Sequence, residues 1–263
     1  VASELAWRQR FRAQRVGTHH AGMKCALLLL LLTACAAAQD SRRSGREDMS
    51  PATRAMQADD SQNPSFLWVR QGESLFAAQC VGCHSAASLR TKALAYPAWS
   101  EKNARPVTLH TRINQCRVTH NKQPPWPAEA EEALALETFL VHISRGEPLP
   151  PVSDARLQPA VQQGERMWQQ RLGQLDLSCA QCHDQSAGKR LAGSTIPQGH
   201  PTGYPLYRLE WQGMGSLERR TRGCMNGVRA EPFAYGSEDL AALALYMKQR
   251  AAGMAVETPA VRP

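Results

Sequence analysis

Aromatic residues are scarce in this sequence. They make up 6% of the 263 residues, although hydrophobic residues make up 43%. A chain of this length accommodates one large domain or two of ordinary size. Small lobes with so few aromatic side chains often lack the apolar mass of an ordinary core, and a bound cofactor packed in the centre would supply it. The apolar run near the N-terminus, Leu27–Leu32, is too short for a permanent membrane anchor.

The positive charge is not spread evenly along the chain. The formal net charge is +8, and residues 1–38 account for +4 of it through four Arg and one Lys against one Glu. The remaining residues, 39–263, are therefore only mildly basic. Such a balance gives no case for nucleic-acid binding.

The N-terminal region has the pattern of an export signal. After Met23 come a Lys, the apolar run Leu27–Leu32 and small residues up to Ala38. We expect residues 1–38 to be a start region and a secretory signal peptide, cleaved after Ala38, so that the mature chain acts in the periplasm. The alternative is lipidation of Cys35, because the residues before it resemble a lipobox.

Two short motifs organise the rest of the chain, and each is a C-x-x-C-H run typical of covalent c-type haem attachment. Two thiols one helical turn apart each add to a vinyl group of one porphyrin, and the His that follows becomes the proximal iron ligand. One such run could arise by chance or form half of a zinc site, but two runs behind an export signal argue against both. The sequence therefore predicts two covalently bound c-type haems, attached through Cys80 and Cys83 with His84, and through Cys179 and Cys182 with His183.

Two further cysteines, Cys116 and Cys224, remain when the leader and the two motifs are set aside. An even number of cysteines in an exported protein usually pairs, so a disulfide is one interpretation. Their positions favour another, because Cys116 follows the first motif's second Cys by 33 residues and Cys224 follows the second motif's by 42. A second axial haem ligand is expected at such a place. A buried, inert thiol is the third possibility for each.

Methionine, the usual second ligand of a c-type haem, is absent between His84 and Pro159. The first haem therefore cannot have His/Met ligation from its own lobe, and its candidates are Cys116, His110, His120 or a Lys. For the second haem, Met214 competes with Cys224.

The sequence repeats one plan, which we interpret as an internal duplication. A helical pattern over Trp68–Ala78 leads into the first motif, and Val161–Trp168 leads into the second in the same way. Two further segments, Arg112–Cys116 and Arg220–Cys224, lie ahead of two apolar helices that we expect to close each copy. Those closing helices are predicted over Glu129–Ser144 and residues 237–250.

These patterns predict an all-α fold of two tandem class I cytochrome c-like lobes, each around a covalently attached haem, with long irregular loops. Polar residues 39–62 are interpreted as a linker. The N-terminal lobe is expected over residues 63–150 and the C-terminal catalytic lobe over residues 151–263. The Pro-rich segment Glu147–Pro151 is a natural boundary between them.

Four arginines lie within eleven residues beside Cys224, namely Arg219, Arg220, Arg222 and Arg229. A charge run of this kind is often a solvated face. Alternatively, guanidinium groups lower the pKa of a nearby thiol and favour the thiolate. They also bind small oxyanions through paired N–H donors. A haem next to a thiolate and an oxyanion site indicates oxidative sulfur chemistry.

The segment Arg220–Phe233 resembles the SoxA family, the catalytic dihaem subunits of SoxAX cytochromes. The Arg-Ala-Glu-Pro run at residues 229–232 is the most diagnostic part, and Arg112–Arg117, Met247–Met254 and Pro259–Arg262 share the likeness. The likeness covers essentially the whole mature chain.

The resemblance implies an L-cysteine S-thiosulfotransferase that joins thiosulfate oxidatively to a cysteine of the SoxYZ carrier protein and releases two electrons. It implies that Cys224 is the catalytic cysteine, modified to a persulfide and ligating the second haem opposite His183. It further implies that Cys116 ligates the first haem opposite His84, that Arg220 holds the substrate, and that a monohaem SoxX-like subunit is the partner in a heterodimer.

Two other functions remain open at this point. One is a plain dihaem electron carrier with Met214 on the second iron and no substrate. The other is a dihaem peroxidase, which has the same number of lobes but needs a displaceable ligand on one haem.

Overall fold

Helices supply most of the regular structure in the computed structural model, which describes residues 40–263. None of the helices in this part of the chain is long and apolar enough to cross a membrane. The helices are α1 (Pro51–Ala58), α2 (Phe66–Gln79), α3 (Ala86–Leu89), α4 (Leu109–Thr119), α5 (Glu131–His142), α6 (Gln158–Gln169), α7 (Cys179–His183), α8 (Leu217–Gly227) and α9 (Glu238–Arg250).

Short strands in the connecting loops correct the expectation of an all-α fold. β1 pairs with β2 and β3 pairs with β4, both antiparallel, and a three-stranded sheet has the order β6-β5-β7 with β7 parallel to β5. Extended loop segments that fold onto a core must pair their backbone groups, and these ladders do so. The strands are β1 (Ala98–Ser100), β2 (Arg105–Val107), β3 (Arg190–Leu191), β4 (Ser194–Thr195), β5 (Leu206–Arg208), β6 (Gly213–Gly215) and β7 (Ala260–Arg262).

Two helix pairs frame the fold, and each pair crosses at a glycine. α2 packs against α5, and α6 packs against α9. A Cβ on Gly72 would lie 2.0 Å from the carbonyl oxygen of Ala135, and a Cβ on Gly164 would lie 2.1 Å from that of Ala242. Backbone atoms cannot move aside as the end of a flexible side chain can, so only glycine permits these close crossings.

Replacing Gly164 by Ala should therefore force α6 away from α9. We expect the free energy of unfolding to fall by at least about 2 kcal/mol, as for other overpacked cores. Gly227→Ala is the matched control, because a Cβ at this helical glycine would have no neighbour within 4 Å. The control should be neutral or stabilising by up to about 1 kcal/mol. Guanidinium unfolding of the haem-loaded protein, followed by circular dichroism, measures both, and equal stability of the two variants would refute the packing argument.

A repeated unit follows each cysteine motif. Residues 96–119, the first repeat, and residues 204–227, the second repeat, have the same elements at a constant offset of 108 positions. Each begins at a cis Tyr-Pro bond and continues through an antiparallel strand pair in the same register. The positive φ angles of Ala104 and Gln212 fall at equivalent places in the two turns. The internal duplication inferred from the sequence is thus present in the backbone.

The helix that ends each repeat carries a cysteine at the same position. α4 begins after Thr108 and α8 begins after Ser216, and each hydroxyl accepts the backbone N–H three residues later. Cys116 and Cys224 each lie eight residues after these capping residues. The two thiols are therefore presented by matching helices.

The two helix pairs share one core rather than packing separately. Ala251 and Val256, which follow α9, belong to the same buried cluster as Val69 and Phe76 of α2. Lys248 on α9 is also buried and donates a hydrogen bond to the carbonyl oxygen of Ala95, 2.6 Å away. Consistent with this, residues 42–263 form a single compact unit.

The segment interpreted as a linker packs against the end of the chain. It contains α1, and the buried Gln57 accepts hydrogen bonds from the backbone N–H of Val261 at 3.1 Å and from Arg262 at 2.6 Å. The sequence shows no apolar stripe here because this contact is made by buried polar groups that satisfy one another. The predicted leader, including Cys25 and Cys35, lies outside the described residues.

Candidate functional site

The second cysteine motif forms α7, a helix of five residues. The side chain of Ser178 accepts the N–H of Gln181, and the side chain of Gln181 accepts the N–H of Ser178. This reciprocal cap stabilises the start of so short a helix. Cys179 and Cys182 are three residues apart and share one helix face, as attachment of both thiols to one porphyrin requires.

The ring of His183 is held in one orientation. Its Nδ1–H donates to the carbonyl oxygen of Pro197, 2.7 Å away, because a carbonyl oxygen can only accept. Nδ1 is thereby occupied, and Nε2 is the nitrogen available to a metal. The ring of Trp168 packs on the imidazole with 5.5 Å between centroids. His183 is thus oriented in advance as an axial ligand.

Trp168 is itself fixed by two charged groups. Its Nε1–H donates to Asp184 Oδ2 at 2.7 Å, and the Arg250 guanidinium lies 4.3 Å above its ring. Arg250 also forms an ion pair with Asp184. These three side chains join α6, the residue after α7, and α9, so the closing helix supports the orientation of His183.

The thiol of Cys224 faces His183 and hydrogen bonds with its ring. Burial raises the pKa of this thiol, but the hydrogen bond to His183 and the positive charge of Arg220 outweigh burial, and the pKa falls below its ordinary value. Burial raises the pKa of neighbouring Cys179 to about 11, and the negative charge of Cys224 adds to that effect. Of these two thiols, Cys224 is the one that favours the thiolate.

Of the three arginines on α8, Arg220 is the one whose guanidinium makes no packing contact within the described residues. Arg219 lies 4.2 Å over the Trp211 ring and donates to the carbonyl oxygen of Met214 at 3.3 Å. Arg222 lies 4.3 Å over the Tyr235 ring and donates to the carbonyl oxygen of Phe233. Arg229 is exposed. Within the described residues, the Arg220 guanidinium makes no hydrogen bond or ring contact, and it lies one helical turn before Cys224.

The first cysteine motif is a turn rather than a helix. The backbone N–H groups of Cys83 and His84 both donate to the carbonyl oxygen of Cys80, at 3.0 and 2.9 Å. Burial raises the pKa of the Cys80 thiol, and the nearby Cys116 adds to the effect. Cys116 therefore lies near Cys80 of the first motif, as Cys224 lies near Cys179 of the second. Cys83 and His84 are exposed.

The other histidine and methionine candidates are hydrogen-bonded, exposed or buried in a strand. His110 makes hydrogen bonds through both ring nitrogens, to Glu137 at 3.1 Å and to Asn114 at 3.0 Å. His120 is exposed at the end of α4. Met214 is buried in β6, where it pairs with Tyr207 of β5. Within the described residues, the structure brings Cys224 and not Met214 against His183.

The donors at the second motif fit a c-type haem. An imidazole nitrogen and a thiol sulfur face one another, and two further thiols lie on one helix face beside them. That is the set needed for two thioether bonds and two axial ligands. Cys116 and Cys224 are both free, so they do not form the disulfide considered from the sequence.

Comparison with known proteins agrees with this geometry. A family model described as the SoxA/TsdA cytochrome c domain matches residues 67–149 and again residues 163–256. A protein of Pseudaminobacter salicylatoxidans named L-cysteine S-thiosulfotransferase subunit SoxA is 36% identical over 220 residues, which are 80% of this chain and 77% of that protein. The chain belongs to the SoxA family.

Other SoxA proteins extend the likeness across the chain. The SoxA subunit of Rhodovulum sulfidophilum is 32% identical over 232 residues, which are 85% of this chain and 81% of that protein. A chain in the crystal structure of SoxXA from P. pantotrophus is 29% identical, with a TM-score of 0.81 over 84% of this chain and 87% of that one. The cytochrome c-like fold and a covalently bound c-type haem follow from SoxA membership.

Several residues that support this SoxA site were missed in the sequence. Asp184 follows the second motif directly, so its place beside His183 could have been found from that spacing. The carbonyl of Pro197, the ring of Trp168 and the guanidinium of Arg208 reach the site from separate elements. No local sequence pattern predicts contacts between residues so far apart in the chain.

Proposed function

We propose that this chain is the L-cysteine S-thiosulfotransferase subunit of a SoxAX-type complex, with Cys224 as its catalytic residue. SoxA-family membership supports the enzyme class and thiosulfate oxidation. The single observation that carries the assignment of the site is the Cys224 thiol, which faces His183 with the uncommitted Arg220 one turn away.

The proposal includes two haems and two tandem lobes, residues 63–150 and 151–263. Cys179, Cys182, His183 and Cys224 would hold the second haem, and Cys80, Cys83, His84 and Cys116 would hold the first. The matching repeats, each with a helix cysteine near its own motif, support this arrangement. The haem, when bound, supplies a place for electrons released by sulfur oxidation, one at a time.

In the reaction, the Cys224 thiolate forms an S–S bond with the outer sulfur of thiosulfate, and two electrons leave. The product, Cys224–S–S–SO₃⁻, keeps one negative charge. Arg220 pairs its N–H groups with the sulfonate oxygens and offsets the repulsion between the thiolate and a dianion. Without that counter-charge the two anions would not approach.

The second half of the reaction is an exchange between thiols. The carrier's cysteine thiol attacks the middle sulfur, loses its proton to water, and leaves as carrier–S–S–SO₃⁻ while Cys224 returns to the thiolate. A thiol of lowered pKa is a good leaving group in such an exchange. The environment of Cys224 therefore serves both halves of the reaction.

The partners in this proposal are a SoxX-like monohaem subunit, which receives the electrons, and the SoxYZ carrier. The periplasm is the expected compartment, since the predicted signal peptide precedes the described residues and covalent haem attachment requires export. A SoxX partner is supported by the SoxXA structure that the chain resembles.

One experiment tests the function directly. The haem-loaded complex is mixed with thiosulfate and a SoxYZ carrier that has a free cysteine, and both cytochrome reduction and the intact mass of the carrier are followed. We expect two electrons for each thiosulfate joined to the carrier. Reduction without any change in carrier mass would instead indicate a plain electron carrier. The intact mass of the chain itself should show two attached haems, and one haem would remove the first motif from the proposal.

A further inference from the structure

The orientation of His183 depends on a loop that follows the second motif. Pro197 supplies the carbonyl oxygen that accepts the His183 Nδ1–H at 2.7 Å. Gly199 lies beside the same ring, because a Cβ there would come within 3.3 Å of the imidazole and within 2.9 Å of the Trp168 ring. The backbone of this loop, residues 196–200, therefore decides both the hydrogen bond and the packing that orient the axial ligand.

Residues 42–45, which we call the strap, contact this loop from the N-terminal part of the described chain. The backbone N–H of Arg43 donates a hydrogen bond to Gln198 Oε1, 2.6 Å away. A Cβ on Gly45 would lie 3.6 Å from the Cβ of Pro197, which is ordinary van der Waals contact. The strap therefore packs on the residue whose carbonyl holds His183 and bonds to the next residue of the loop.

The strap also holds the end of α9. Arg42 Nη1 donates to the carbonyl oxygens of Arg250 at 3.0 Å and Ala252 at 2.8 Å. The last carbonyls of a helix have no partner within the helix, and a cation is favourable at that end. Arg250 is the residue whose guanidinium lies over the Trp168 ring, and Trp168 packs in turn on His183. The strap thus reaches both supports of the imidazole.

The strap is itself held to the rest of the molecule. The hydroxyl of Ser44 donates to a carboxylate oxygen of Glu257, and Glu257 also forms an ion pair with Arg262. The guanidinium of Arg43 lies 3.1 Å from Asp48 Oδ1. A segment with several such attachments restrains the groups that it contacts, whereas a free tail would not.

We propose that the strap residues 42–45 are positioning residues for the second haem site, which hold Pro197 and the end of α9 so that His183 keeps one orientation. The inference rests on the proposed function, since that function assigns the second haem to His183. A hydrogen bond from Nδ1–H makes the imidazole a stronger donor to iron. Because a stronger donor stabilises Fe(III), a weakened bond to Pro197 should raise the reduction potential.

Two variants release the strap at separate points, and each is compared with the wild type in the haem-loaded complex. Gln198→Leu removes the acceptor of the Arg43 N–H without changing the charge of the protein. Gln198 Oε1 also accepts a hydrogen bond from His200 Nε2 at 3.2 Å. Arg42→Ala leaves Gln198 intact and is therefore the independent check. Arg54→Ala is the matched control, because Arg54 donates to the carbonyl oxygen of Glu47 at 3.3 Å, which belongs to neither the loop nor α9.

We expect Gln198→Leu and Arg42→Ala each to shift the Fe(III)/Fe(II) equilibrium of the second haem about threefold toward Fe(II). That shift is a rise of about 28 mV, at about 59 mV for each tenfold change. Loss of the Arg42 charge alone would lower the potential, so a rise cannot come from charge. A redox titration followed by absorbance gives the potential, and electron paramagnetic resonance should show a change in this ferric haem and in no other. The kcat should fall about threefold with an unchanged KM for thiosulfate, a smaller loss than for a direct ligand partner.

Failure of this inference can be told from failure of the proposed function, because the potential and the resonance spectrum are measured without thiosulfate. If the wild-type complex joins no thiosulfate to the carrier, the function itself is wrong. If Gln198→Leu and Arg42→Ala only lower the free energy of unfolding and leave both haem readouts as in Arg54→Ala, the strap has a merely structural role. That result, or a fall in the potential, would overturn the inference.

Discussion

Replacing Cys224 by Ala should abolish thiosulfate-dependent electron release, with a loss of at least about a thousandfold in kcat, as when other covalent nucleophiles are removed. The loss is expected because the variant has no sulfur to form the first S–S bond. The site would keep Arg220 and His183, and binding alone does not move electrons. Stopped-flow absorbance of the haem-loaded complex after addition of thiosulfate and carrier measures the effect.

The control for this variant is Gly223→Ala on the same helix. A Cβ at Gly223 would meet no atom within 4 Å, so the change adds bulk without contact. This control should retain most of the activity. Intact mass must show both haems in Cys224→Ala, since the attachment cysteines are untouched. Full activity in a haem-loaded Cys224→Ala protein would remove this residue from the mechanism.

The second large effect is expected at Arg220. Its replacement by Ala removes a charged donor from the oxyanion, at a cost of about 2 kcal/mol. That cost corresponds to about a thirtyfold increase in the KM for thiosulfate. Initial rates over a range of thiosulfate concentrations, at saturating carrier, give this value.

Arg219→Ala provides the comparison, because Arg219 is the neighbouring residue but stacks on Trp211 and donates to a backbone carbonyl. Its KM should stay within about threefold of wild type, the size of effect expected for an exposed or structural contact. If the two variants lost affinity equally, the substrate guanidinium would have been assigned to the wrong residue. The thiol pKa should also rise in Arg220→Ala, since the charge that lowers it is gone.

Local spacing explains which parts of the fold could be predicted. The predicted helix over Trp68–Ala78 is α2 (Phe66–Gln79), and the closing helix over residues 237–250 is α9 (Glu238–Arg250). Both have apolar residues at helical spacing, and α9 has Ser237 as its N-cap. Apolar spacing and capping residues are local features of the sequence, so these helices can be predicted without knowing the tertiary structure.

The helix that carries Cys116 was harder to see. Two prolines flank it closely, yet α4 fits between Pro106 and Pro124 and starts at the Thr108 cap. Its polar sequence shows no clear apolar stripe, because much of what it contacts is polar. The strands were not predicted for a different reason. Strands of two or three residues form only where particular loops come together in the fold.

At the candidate site, the sequence indicated the attachment residues and left the rest open. Cys224 and Met214 both remained possible partners of His183, because distance along the chain does not say which side chain faces the ring. The strap gave no signal at all, since residues 42–45 belong to a polar segment without apolar spacing. It becomes informative only when it is placed against Pro197 and the end of α9.

The two repeats align without a gap, so the first repeat can serve as an internal reference for the second. Cys116 and Cys224 have matching helices, matching caps and an arginine one turn upstream. The strand pairs before the two helices differ, because Arg208 and Gly213 of the second repeat stand where the first repeat has Ser100 and Arg105. A label or spectroscopic probe that reports on both thiols in one sample therefore compares them at identical concentration, temperature and ionic strength. Any difference between the two signals therefore reports on the residues at which the two repeats differ.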